Sequence, residues 1–247
     1  MAKISRTLLP ASPEARVRRG YFESRYGQLH VHHAMPPGGG FEEGTPLLCV
    51  HDLCGSGRAF ARFLALAGTE RSVYAPDLPG FGESDGPATR PALSDYVAAL
   101  ADFVDTMRLR NFAVLGLRGG ALLASELALS RPTQIIRVIL VSVPLLSEAE
   151  QRASVPAPAA TDEASRPAEW QRWAAEAAAR YPLRERLAKL TQRLLVLRPR
   201  DDLWEATGRI REILPTARLM DLELPAGQAL AGTPQPLADA VRAFLST

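Results

Sequence analysis

The stretch from Asn111 to Leu129, NFAVLGLRGGALLASELAL, constrains the fold more than any other part of this chain. A short apolar run, Ala113 to Leu115, leads into Gly116-Leu117-Arg118-Gly119-Gly120 and then into an Ala/Leu-rich helical pattern. A strand that reverses into a helix over so few residues needs glycine where backbones approach closely. The turn lifts its middle residue above the end of the sheet, and that residue is Arg118. A strand, sharp turn and helix of this kind is one unit of a layered α/β architecture.

The remaining chain supplies more such units. YFESRYGQLHVHHA (21–34) alternates on either side of Tyr26-Gly27-Gln28, which predicts a β-hairpin. TPLLCVHD and RSVYAPDLPGFGESDGP each read as a buried strand running into a loop, the second punctuated by Gly and Pro. SDYVAALADFVDTMRL places Tyr96, Val97, Leu100, Phe103, Val104 and Met107 at helical spacing, with Ser94 as the expected cap. IIRVILVSVP is an almost unbroken apolar strand, suited to a sheet covered on both faces. After an Ala/Pro/Glu-rich change of character from 145 to 165 come a helical PAEWQRWAAEAAARY, a strand RLLVLRP and an amphipathic LWEATGRIREIL. A strand ARLMDLEL and a closing helix PLADAVRAFL follow. Alternation of β and α predicts a mostly parallel sheet with helices on both sides.

Bulk properties exclude several classes. With 29 basic and 27 acidic residues the formal charge is +2, so nucleic acid is not an expected partner. The arginines near the N-terminus (Arg6, Arg16, Arg18, Arg19) read as part of a solvated arm. No segment approaches the roughly 18 apolar residues of a membrane span, and no signal-peptide core is visible, so a cytoplasmic protein without a membrane partner is expected. Cys49 and Cys54 do not form a disulfide framework, and no Cys/His spacing of a zinc motif occurs, so no metal or cofactor is expected.

From about Tyr21 to Leu245 the sequence resembles the α/β-hydrolase fold family. LLCVHDLCGSG is similar to that family's strand and oxyanion loop, and YAPDLPGFGESD to its next strand and loop. LRPRDDLWE resembles the strand end that carries the acid, and LELPAGQAL the segment that carries the histidine. The resemblance implies an α/β-hydrolase fold with a short helical cap. Its expected divisions are an N-terminal arm at 1–20, a core at 21–144 and 191–247, and a cap insertion at 145–190.

The resemblance also implies where a nucleophile, an acid and a histidine should meet. Those positions hold Arg118, Asp202 and Gln228. A guanidinium stays protonated and has no lone pair free for attack, and an amide is no useful base. The backbone donors of an oxyanion hole would be Leu53 and Gly119, but the glycine expected after His51 is Asp52, which brings negative charge to that spot. His51 matches a loop-bracing histidine, while His30, His32 and His33 belong to the hairpin. Cys54, and Trp170 and Trp173 as roof residues, complete the pocket candidates.

Two functions of different class follow. One is a member of the fold without a working triad, a pseudoenzyme that binds a small molecule, an anionic one included, or a partner protein. The other is a non-standard enzyme (lyase, isomerase or hydrolase) built on Asp52, Asp202 or Cys54.

Overall fold

The computed structural model describes residues 14–37, 43–147, 149–151, 166–223, 230 and 234–246. An eight-stranded sheet forms its centre. In chain order the strands are β1 (Arg18–Ser24), β2 (Gly27–Ala34), β3 (Leu47–Val50), β4 (Val73–Pro76), β5 (Phe112–Leu117), β6 (Ile135–Val141), β7 (Arg193–Pro199) and β8 (Arg218–Leu222). They lie side by side as β1-β2-β4-β3-β5-β6-β7-β8. β1 pairs antiparallel with β2, and β2 antiparallel with β4; every later pairing is parallel. The mostly parallel sheet expected from the sequence is present.

The hairpin turn lies one residue earlier than the alternation suggested. Ser24 pairs with Gly27, leaving Arg25 and Tyr26 as the loop, and Gly27 takes a φ of 98° that favours glycine. The sheet takes in Arg18 to Gly20, and the Ala15 N–H donates to Ala65 O at 2.7 Å, so the docked chain begins inside the stretch expected as a free arm.

Helices cover both faces, and the strands show why. Along β3, Leu48 and Val50 face one core while Leu47 and Cys49 face the other; in β5, Phe112 and Val114 alternate in the same way with Ala113 and Leu115. The first core is closed by α2 (Leu93–Thr106) and α3 (Gly120–Ser130), the second by α1 (Ala61–Ala67) and the last helix, Gln235–Leu245, here α8. A continuous apolar strand is therefore required, because neither face is wet. Ser94 is not the cap of α2. The helix starts one residue earlier, and the Asp95 carboxylate accepts the Ala92 N–H at 2.8 Å.

Between β6 and β7 stand α4 (Arg166–Ala179) and α5 (Leu183–Leu187), which pack on α2 and α3 respectively. The amphipathic segment after β7 forms two short helices, α6 (Trp204–Gly208) and α7 (Ile210–Ile213). The carboxyl ends of β3, β5, β6 and β7 lie in succession across the sheet, where open α/β sheets place their sites.

Candidate functional site

The turn after β5 is built by its glycines. A Cβ on Gly116 would stand 2.5 Å from Gly120 O, and one on Gly120 would stand 2.3 Å from Val50 O. No other side chain fits between β3, β5 and α3 at those two points. Arg118 pays the conformational penalty of the elbow: its φ is 51°, held by its own N–H donating to Val141 O at 2.8 Å and by Ala121 N–H donating to its carbonyl at 2.9 Å. A non-glycine residue in this region costs of order 1–3 kcal/mol and persists only where its surroundings impose it.

The loop after β3 brings Asp52 against that elbow. Asp52 Oδ1 accepts two backbone hydrogen bonds, from Leu53 N–H at 2.8 Å and from Gly119 N–H at 3.0 Å. These are the two donors that the resemblance assigns to an oxyanion hole. On that resemblance, a carboxylate oxygen of the chain itself sits where a substrate oxyanion would, and Gly119 has no room for a side chain, since a Cβ there would lie 2.8 Å from Asp52 Oδ1. The other carboxylate oxygen, Oδ2, is 3.3 Å from Arg118 Nε.

Arg118 turns its fork the other way. Nη1 and Nη2 donate to Asp202 Oδ1 and Oδ2, both at 2.8 Å, a bidentate pair. Nη1 is also 3.6 Å from Asp201 Oδ2. These hydrogen bonds to Asp202 raise the arginine's proton affinity further, and in return hold the Asp202 carboxyl below its ordinary range. Asp201 was not foreseen as a participant. It is anchored by Ser142 at the tip of β6, whose hydroxyl donates to Oδ2 at 2.6 Å, and by Leu203 N–H, which donates to Oδ1 at 3.0 Å. The adjacent acids of RPRDDLW were the only sequence signal for it.

His51 is fully buried and fully used. Leu78 N–H donates to Nε2 at 2.9 Å, which makes Nε2 the acceptor and puts the ring proton on Nδ1, facing Asp52 O at 2.7 Å. Burial pushes its pKa below the ordinary histidine value, so the ring stays neutral and braces the loop. Cys54 reaches the surface, yet partial burial, and then the Asp52 charge, push its thiol up, away from a reactive thiolate.

Trp170 is spent on packing. Its indole covers Gly80 and Gly86, where a Cβ would come within 2.9 and 2.1 Å of ring atoms, and Nε1–H donates to Pro87 O at 3.2 Å. Trp173 is half-buried on the same helix. Neither lines the apolar cleft of about 410 Å³ that opens between the start of α2 and the α4–α5 link, among Leu93, Ala177, Arg180, Tyr181 and Arg186. Gln228 and the Ala/Pro-rich stretch 153–165 lie outside the described residues.

A model of the Alpha/beta hydrolase family matches residues 47–245, so the chain belongs to that family. Solved structures agree on the fold. An esterase from Exiguobacterium antarcticum is 17% identical, with a TM-score of 0.72, covering 92% of this chain and 99% of its own. A hydrolase from Pseudomonas aeruginosa is 19% identical, with a TM-score of 0.74, covering 93% of this chain and 98% of its own. Among curated relatives, a rat protein named 1-acylglycerol-3-phosphate O-acyltransferase ABHD5 is 31% identical over 101 residues, 39% of this chain and 29% of the relative. A haloalkane dehalogenase of Psychrobacter cryohalolentis is 31% identical over 121 residues, 47% of this chain and 38% of the relative. The chain thus matches well under half the length of either curated relative.

Proposed function

Within the alpha/beta hydrolase family, we propose, this chain is a non-hydrolytic member that no longer turns over substrate and binds a small molecule or a partner protein. One observation carries the reading: the Asp52 carboxylate accepts both backbone N–H groups of the oxyanion hole. Acyl transfer needs those donors for charge that develops in the transition state. Here they already hold a full negative charge, which a substrate oxyanion would have to displace. Arg118 at the elbow adds the second block, because its guanidinium cannot attack and is tied to Asp202.

The non-standard enzyme finds less support. Asp52 and Asp202 are both committed to hydrogen bonds, and the Cys54 thiol is pushed up. The binding half of the reading rests on the cleft beside Tyr181, whose volume of about 410 Å³ lies in the range of small-molecule sites. In this reading the segment 145–190 serves as the cap, and its α4 and α5 form one wall of that cleft.

The test is labelling with a serine-directed fluorophosphonate together with turnover of short and medium p-nitrophenyl esters. No labelling and no saturable turnover are expected, in the native chain or in Arg118→Ser, because the serine would still face an occupied oxyanion hole. Saturable ester turnover that disappears in Asp202→Asn would overturn the proposal.

A further inference from the structure

A second constellation lies away from Arg118, where the hairpin meets the loop after β4. His30 and His32 are two residues apart on β2 and so project from one face of the sheet, while His33 points from the other. Both are buried, and their rings meet edge to face at 4.7 Å. Asp77, at the end of β4, is 1% exposed and stands against them, its Oδ2 2.9 Å from His30 Nδ1. Ligand atoms of His30, His32 and Asp77 all lie within 4.8 Å of one another.

We propose that His30, His32 and Asp77 form a binding site for a divalent transition metal of the zinc class. Imidazole and carboxylate together suit a borderline cation of that kind. Metal–nitrogen and metal–oxygen distances near 2.0–2.2 Å place neighbouring ligands roughly 3 Å apart. The His30 and Asp77 atoms, at 2.9 Å, already have that separation. Bringing the His32 ligand atom from within 4.8 Å to that spacing is the adjustment that metal binding requires.

Proton balance is satisfied without an outside base. In the metal-free chain Nδ1–H of His30 donates to the Asp77 carboxylate. When the metal takes Nδ1, the ring proton moves to Nε2, which faces Glu83 Oε2 at 3.9 Å. A short swing of Glu83 makes it the acceptor for Nε2–H, the carboxylate support that ligating histidines characteristically have. Glu83 is itself held by Tyr21, whose hydroxyl donates to Oε2 at 2.9 Å, and lies 3.8 Å from Arg19. Asp77 keeps its backbone bonds from Gly57 N–H at 2.6 Å on Oδ1 and from Glu83 N–H at 2.9 Å on Oδ2, so both flanking loops are fixed before metal arrives. His30 and Glu83 also line an open cleft with Arg16, Arg18, Arg19 and Tyr21, the side from which an ion would approach.

The experiment is titration of the untagged, chelator-treated chain with Zn²⁺ by calorimetry, and with Co²⁺ by visible absorption. One ion per chain and the ligand-field bands of a low-coordinate Co²⁺ site are expected. His32→Gln, which leaves the His30–Asp77 pair intact, should lose the bands. Glu83→Gln should weaken Zn²⁺ by about 10–100-fold, the usual cost of a lost supporting partner. His33→Gln, on the opposite face, should bind as the native chain does. No stoichiometric binding by the native chain would overturn the proposal, and so would bands that survive His32→Gln in a chain whose circular dichroism is native. Neither outcome bears on the ester assay, so the two readings stand or fall separately.

Discussion

Asp52→Ala is the most informative perturbation of this site. It removes an acceptor from two backbone N–H groups, Leu53 and Gly119, and a counter-charge from Arg118 Nε at 3.3 Å. Hydrogen bonds to a charged group contribute about 1.5–3 kcal/mol each. The Asp52 side chain is 36% exposed, however, so water reaches the vacated donors and recovers part of the loss. A net destabilisation of about 2 kcal/mol results, a fall in Tm of roughly 4–8 °C for a chain of this size. The vacated hole would then be an anion site made of two N–H groups and a guanidinium. Acetate or formate should enter it. At ten times its Kd, acetate would restore about 1.4 kcal/mol by mass action, or roughly 3–6 °C. Differential scanning fluorimetry with acetate, against chloride at matched ionic strength, measures both effects. The reasoning is refuted if Tm does not fall in Asp52→Ala, or if acetate shifts the native chain as much as the variant.

Asp202 gives a pH test. Its folded pKa is held low by the Arg118 hydrogen bonds, so its contribution to stability is present above the unfolded value near 3.9 and is lost as pH falls through the lower folded value. With the Asp202 side chain 70% exposed, that contribution is expected within about 1 kcal/mol. Carboxyl carbon chemical shifts should put its midpoint below the ordinary aspartate value in the native chain and near that value in Arg118→Ala. Gly120→Ala tests the elbow itself: its Cβ would meet Val50 O at 2.3 Å and His51 O at 2.5 Å, both backbone atoms that cannot rotate away. Overpacking of this kind costs about 1–3 kcal/mol, read as a Tm loss of roughly 2–12 °C by the same scaling.

The fold was legible because its signals are local. Period-two apolar alternation in LHVH, the unbroken IIRVILV and the glycines at 116 and 120 each favour one backbone outcome. What the sequence misplaced were boundaries decided by competition among neighbours. Ser94 was a good capping residue, but the helix begins before it, at Leu93, where the Asp95 carboxylate accepts the Ala92 N–H. Of the candidate site, the cluster of Arg118, Asp52 and Asp202 was legible and its wiring was not, while Asp201 was missed and Trp170 is taken up by packing. Arg118, Asp52 and Asp202 were nameable from position, and their attraction followed from charge. That Asp52 would lend one oxygen to both oxyanion-hole donors and the other to Arg118 depends on a loop geometry that no spacing encodes. Asp201 was hidden for a related reason: only the fold brings Ser142, at the end of a different strand, against it.

The charge arrangement decides what the mouth of this site can accept. Among the described residues, Arg118 is the one cation ion-paired with Asp52, Asp201 and Asp202, at 3.3, 3.6 and 2.8 Å. One guanidinium cannot offset three carboxylates, so the local balance is two negative charges. A free Arg118 would have recruited an anionic ligand by its bidentate fork. In this arrangement the fork is already filled, and an incoming carboxylate or phosphate would meet like charge at a distance inside the Debye length of about 8 Å, weakened by solvent most at Asp202. Under the proposed reading, the anionic ligand suggested by the lone arginine in the sequence is expected to bind at this position less well than a neutral or cationic group. The same balance explains why the arginine and the aspartate are mutually dependent. Without Arg118, Asp52 would crowd two other acids with no counter-charge, and without Asp52 the two backbone donors would stand open beside a cation, the anion trap that the native chain has closed.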